Sequence, residues 1–110
     1  MAIRRGDIVV VVHADLGKPH PAVVVQADIL NEAAGTILVC PLTSDITERM
    51  PLLPIIAASP GSGLRERSQI MTERIMALRA DRIRGVLGSV DASTADALDR
   101  ALLIILGLDR

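Results

Sequence analysis

The chain contains no phenylalanine, tyrosine or tryptophan, a single cysteine and a single lysine in 110 residues. Without aromatic rings it has no platform on which single-stranded bases could stack, so a nucleic-acid site would have to use hydrogen bonds, charge and guanidinium planes. The lone Cys40 lies in an apolar run, which excludes an internal disulfide and reads as a buried thiol in a reducing compartment. Long hydrophobic runs are also missing. None approaches the roughly 20 residues that span a bilayer, and Arg4 and Arg5 lead into Asp7 rather than a signal-peptide core. The reading is a cytoplasmic chain with no membrane segment. Formal net charge is −1, so no global positive field draws in a polyanion and any such site must be local.

What is present is half apolar, and the core has to be packed from Val, Ile, Leu, Met and Ala. The length suits one core, and residues 1–110 read as a single domain. DIVVVVH, residues 7–13, is β-branched and continuously apolar, the pattern of a strand covered on both faces or of one lying in a closed barrel. ADLGKPHP breaks it with a glycine and two prolines. AVVVQAD, residues 22–28, is a second strand, ILNEAAG a polar-leaning connector, and residues 36–43 a third strand. Pro41 marks an edge or bulge there, because proline cannot donate to a ladder. LLPIIAA at 52–58 predicts a fourth strand, followed by shorter ones in SQIM (68–71), IMALR (75–79) and RIRGVLGSV (82–90). SPGSGLRER, residues 59–67, reads as an exposed, mobile loop suited to be a lid.

The ending changes period. Ser93 with Asp96 three residues on resembles a capping box, and Leu98, Leu102, Ile105 and Leu106 recur at helical spacing, which predicts a helix over 94–106. ALLIILGL is apolar nearly all round, more than one barrel face requires, and points to cover by a second subunit. The fold class expected is mainly β with α, a small, strongly bent barrel with a C-terminal helix.

Several stretches, in order and across nearly the whole chain, resemble the MazF/PemK toxins of bacterial toxin–antitoxin systems. They are RRGDIVVV, GKPHPAVVVQAD, VCPLTSD, GLRERSQIMTERI and IRGVLGSVDASTADALDRALLIILGL. The resemblance implies an SH3-like barrel of the CcdB/PemK type, a homodimer, and a cognate antitoxin whose extended tail wraps the dimer. Contact with operator DNA would run through that antitoxin. It also implies an endoribonuclease that needs no metal or cofactor and cuts single-stranded RNA to a 2′,3′-cyclic phosphate and a 5′-hydroxyl. The family's catalytic threonine falls on Thr43, and an acidic residue used by some members falls on Glu73. The family's catalytic arginine, just before a proline, falls on His20.

That exchange matters because the chemistry divides into different tasks. Internal transesterification needs a base for the 2′-hydroxyl, donors for charge growing on phosphoryl oxygens, and an acid for the 5′-oxygen. Histidine can be base or acid near neutrality, whereas arginine stays charged and grips phosphate with two parallel hydrogen bonds. His20 is therefore expected either to act in proton transfer beside Thr43 or to be a loop histidine in a chain that binds without cutting. Six arginines between Arg65 and Arg84 face three acidic residues in the same span, a local positive excess. Lys18, Ser44, Arg65, Arg67 and Arg74 are the candidates for RNA contact, with Glu73 alternatively pairing Arg74 or Arg79. His13 lacks partners at metal-ligand spacing and reads as structural, so no metal site is expected. A gyrase poison of the CcdB kind is a further alternative, but such toxins rely on their last residues, often with an aromatic among them, and GLDR offers none.

Overall fold

The apolar run near the start is buried on both sides because its side chains feed two cores. In the computed structural model, which describes residues 2–33 and 35–110, β1 (Asp7–Val11) sends Ile8 into a cluster with Val23, Cys40, Leu42, Ile70 and Leu98. Val9 and Val11 enter a second cluster with Ala22, Val24, Ile37, Val39 and Leu78. Successive strand residues point to opposite faces, so a central strand with a core on each side has no polar face.

Among the described residues there are seven strands, β1 followed by β2 (His20–Val24), β3 (Thr36–Thr43), β4 (Ile55–Ile56), β5 (Ser68–Ile70), β6 (Met76–Arg79) and β7 (Ile83–Ser89). They form an antiparallel sheet in the order β4-β5-β3-β2-β1-β7, with β6 also paired to β3. The β1–β7 register slips between Ile8 and Val9 and again between Val10 and Val11, and such irregularities bend and twist a ladder. The sheet curls into a half-barrel. The C-terminal helix, labelled α2 below (Ala92–Ile105), buries Leu98, Ala101 and Leu102 against it. The expected bent β-barrel with a terminal helix is what forms.

Pro41 sits inside a strand that is paired on both sides, and its missing donor falls in a gap. Along one edge β3 pairs with β6 through Val39 and with β5 from Leu42 onward. Pro41 faces the changeover, where its carbonyl accepts from the Met71 amide at 2.9 Å. The expected edge or bulge is thus a switch of partner strands.

Other expectations shift. The first strand ends at Val11, and His13 instead caps a 3-10 turn at Ala14–Leu16, its Nδ1 accepting from the Asp15 amide at 3.1 Å. The connector after the second strand contains a short helix, α1 (Asp28–Ala33). The fourth strand shrinks to Ile55–Ile56 because side chains claim the preceding backbone. Buried Gln69 bonds both Thr47 main-chain groups and the Leu53 carbonyl, and Thr72 Oγ1 donates to the Leu52 carbonyl at 2.6 Å. The terminal helix starts at Ala92 with Asp91 as its cap, the carboxylate accepting from the Thr94 amide at 2.8 Å. Ser93, the expected cap, lies inside the helix. That amide bond holds the Asp91 carboxyl below its ordinary value, so the cap's contribution is present at neutral pH and fades as acid protonates it.

Cys40 is fully buried. Burial, and secondarily the charge of Glu73, push its thiol up from 9.0 to about 12. An unfolded chain ionises this thiol near 9.0 and the folded one does not, so the resulting stability is complete below that value and declines as pH rises toward 12. Native protein at pH 8 should react with a thiol-specific chromogenic disulfide only at its opening rate, while denatured protein reacts at once.

Candidate active site

His20 owes its position to the proline that follows it. In the β2–β3 ladder Val23 pairs with Cys40 and Ala22 with Pro41, and one further step places Pro21 opposite Leu42. A residue with an amide there would donate to the Leu42 carbonyl. Pro21 has none, and His20 Nε2 takes its place, 2.5 Å from that oxygen. A carbonyl only accepts, so Nε2 carries the proton and Nδ1 is the ring's free nitrogen. It is a lone-pair acceptor in the neutral ring and a donor in the cation. His20 is the first residue of β2, paired with Val11, rather than part of a loop.

The bond also sets the ring beside the Leu42–Thr43 peptide. Thr43 ends β3, and its Oγ1 accepts from the Asp45 amide at 3.1 Å. That turn orients the oxygen and leaves the hydroxyl proton free to donate elsewhere. Around His20 lies an open groove of about 650 Å³ whose lining includes Pro19, Leu42, Ser44, Arg65, Glu66 and Ser68.

Residues 63–66 of the 59–67 segment form the far wall, and the segment is anchored rather than lid-like. Ser62 Oγ accepts from the Ser59 and Leu64 amides and donates to the Ala57 carbonyl at 2.9 Å. The Gly63 amide bonds the Ser59 carbonyl, and the Ser89 amide bonds the Gly61 carbonyl. Backbone meets backbone here: a Cβ on Gly63, at φ +69, would lie 2.1 Å from the Leu87 carbonyl oxygen, and one on Gly88 would lie 2.2 Å from the Gly61 oxygen. Gly88→Ala should therefore cost on the order of 3 kcal/mol in urea unfolding and displace the Arg65 wall. Gly85→Ala on the same strand, where an added methyl meets nothing within 4 Å, should be nearly silent.

Of the residues singled out from sequence, His20, Ser44 and Arg65 line the groove, and Thr43 lies between the lining residues Leu42 and Ser44. Arg65 is exposed and belongs to no ion pair among the described residues. Lys18 is exposed two residues before His20. Arg67 turns away, bonded to Glu48 at 3.1 Å. Glu73 and Arg74 lie on a 3-10 turn (Thr72–Arg74) that packs against α2 and is not part of the groove wall. Arg79 pairs with Asp81 rather than Glu73 and, with His13 and Arg82, lines a separate depression. The arginine excess is thus spread over the barrel, and one of the six guanidiniums reaches the groove. Among the described residues no group of histidine, cysteine and acidic side chains could hold a metal ion. Sequence reading overlooked Glu66 and Ser68 as groove residues; nothing in the spacing of RERS says which side chains turn inward.

A curled antiparallel half-barrel with a terminal helix, and a groove beside its β2–β3 pair that carries Arg65 and Glu66, defines a small β-barrel with an open polar cleft. Residues 4–106 match the PemK-like, MazF-like toxins of type II toxin–antitoxin systems, and the chain belongs to that family. It is 32% identical over 109 residues to the "Probable endoribonuclease MazF" of Mycolicibacterium smegmatis, covering 96% of this chain and 98% of that one. It is 27% identical over 113 residues to endoribonuclease EndoA of Bacillus subtilis, covering 98% and 97%. Its fold matches a mycobacterial endoribonuclease solved in complex with its cognate antitoxin, with a TM-score of 0.80, 24% identity and 99% of both chains covered.

Proposed function

We propose that residues 1–110 act as one toxin domain, an endoribonuclease that cuts single-stranded RNA in the cytoplasm until a cognate antitoxin covers the groove. The observation that carries this reading is His20, fixed through Nε2 with Nδ1 left free, in a groove that also presents Arg65. Neutral His20 takes the 2′-hydroxyl proton on Nδ1. The 2′-oxygen then bonds phosphorus as the bond to the 5′-oxygen breaks, and the leaving oxygen collects a proton from solvent in the open groove. Thr43 Oγ1–H and the Arg65 guanidinium donate to the phosphoryl oxygens as charge builds on them. The products are a 2′,3′-cyclic phosphate and a 5′-hydroxyl.

The partners fit the exposed surface. Val86 and Leu87 on β7 and Leu103, Leu106 and Leu108 around the end of α2 are exposed apolar side chains of the kind a second subunit covers. An acidic antitoxin segment would compete with RNA phosphates for Arg65 and the Thr43 hydroxyl. Among the described residues no helix is long and apolar enough to cross a membrane.

End-group analysis of cleaved RNA tests the reaction. Cyclic phosphate and 5′-hydroxyl ends are expected, and 5′-phosphate ends would contradict attack by the 2′-oxygen. RNA affinity should fall with salt, and Arg65→Ala should make the slope shallower by about one phosphate contact.

A further inference from the structure

The carboxylate in the groove wall has no part in the chemistry above. Glu66 lines the cleft next to Arg65, its side chain is exposed, and among the described residues it belongs to no ion pair. Its backbone is held from both sides. Buried Leu64 anchors the chain before it, and Ser68 Oγ donates to its carbonyl at 2.9 Å. A fixed negative charge here repels phosphate, so the part of an RNA strand that suits this position is a base edge with donors.

We propose that Glu66 reads a guanine in the bound RNA and sets the sequence preference of the groove; the inference rests on RNA occupying that groove. Among the four bases, guanine alone presents two adjacent donors, N1–H and N2–H, spaced to meet both oxygens of one carboxylate. The amino groups of adenine and cytosine are each flanked by a ring-nitrogen acceptor, and uracil N3–H by two carbonyls. A second carboxylate oxygen would meet a lone pair on any of those three. Arg65 and Glu66 follow each other along one wall, so a phosphate-gripping cation adjoins a base-reading anion, as phosphate adjoins base along RNA. No aromatic ring is needed for this readout.

The test is binding of labelled, uncleavable 2′-fluoro hexamers UUXUUU, with X as guanine, inosine, adenine or cytosine, measured by fluorescence anisotropy. A strand this short slides until X meets Glu66. Wild-type protein should bind the guanine hexamer at least about fivefold tighter than the adenine or cytosine ones, as a bidentate base contact does. Inosine, which lacks the N2 amine, should lose most of that advantage. Glu66→Gln keeps the size but offers one donor and one acceptor, and should bring guanine and adenine within about twofold of each other. Equal wild-type binding of the guanine and adenine hexamers, or a guanine preference that survives in Glu66→Gln, overturns the proposal. Unmodified hexamers run in parallel report cleavage separately. Uncut RNA with the guanine preference intact would remove the endoribonuclease reading alone, and cutting without that preference would remove this one alone.

Discussion

Replacing His20 with alanine lowers kcat/KM on single-stranded RNA by about 10²–10⁴-fold, the range that a positioned proton-transfer group supplies. The loss should appear in kcat, because the imidazole acts on the 2′-hydroxyl proton more than on ground-state binding. Alanine also strips the Leu42 carbonyl of its donor, and leaving such a group without a partner costs about 1–3 kcal/mol. His20→Gln separates the two effects. Its amide can still donate to that carbonyl but cannot take a proton, so it should recover stability in urea unfolding without recovering cleavage.

Thr43→Val is the second large effect, an expected fall of about 10²–10³-fold in kcat, in line with removal of one donor to a developing phosphoryl charge. Thr43 Oγ1 already accepts from the Asp45 amide, which aims the oxygen while leaving its proton free. Thr43→Ser keeps both functions and should retain most of the activity. Thr43→Val and Thr43→Ser measured on one RNA substrate therefore separate the hydroxyl from the methyl. A drop in Thr43→Ser with activity retained in Thr43→Val would instead assign Thr43 to packing of the β3 end.

Much of the architecture was legible in the sequence because β-branched runs and turn residues carry strong local signals. DIVVVVH announced a strand covered on both faces or set in a barrel, which forms over Asp7–Val11 and stops short of His13, and residues 36–43 fall on β3 without adjustment. What misled was local chemistry overridden by distant partners. LLPIIAA looks like a strand, yet buried Gln69 and Thr72 seize the backbone before Ile55. SPGSGLRER looks mobile, yet Ser62 and the glycine contacts with β7 pin it. Ser93 looks like a cap, yet Asp91 is two residues closer to the turn and does the capping.

The candidate site was legible in part. His20, Ser44 and Arg65 converge from three segments far apart in sequence, and the resemblance to a family supplied what spacing could not. The reason for PHP was hidden, because it depends on which Leu42 lone pair Pro21 leaves unmet across the ladder. Glu66 was hidden for a similar reason. In a run of alternating charges, the direction each side chain takes is set by the wall behind it.

The central claim is that His20 performs catalysis in the place the family usually gives to arginine. The most direct test is cleavage of a mixed single-stranded RNA pool in EDTA by wild type, His20→Ala and His20→Arg, with 3′ ends assayed for cyclic phosphate. The account predicts cutting by the wild type, its near disappearance in His20→Ala, and no gain over the wild type in His20→Arg, whose guanidinium cannot accept the 2′-hydroxyl proton. A silent wild type that gains activity in His20→Arg would contradict it, leaving a chain that kept the fold and its partners but not the reaction.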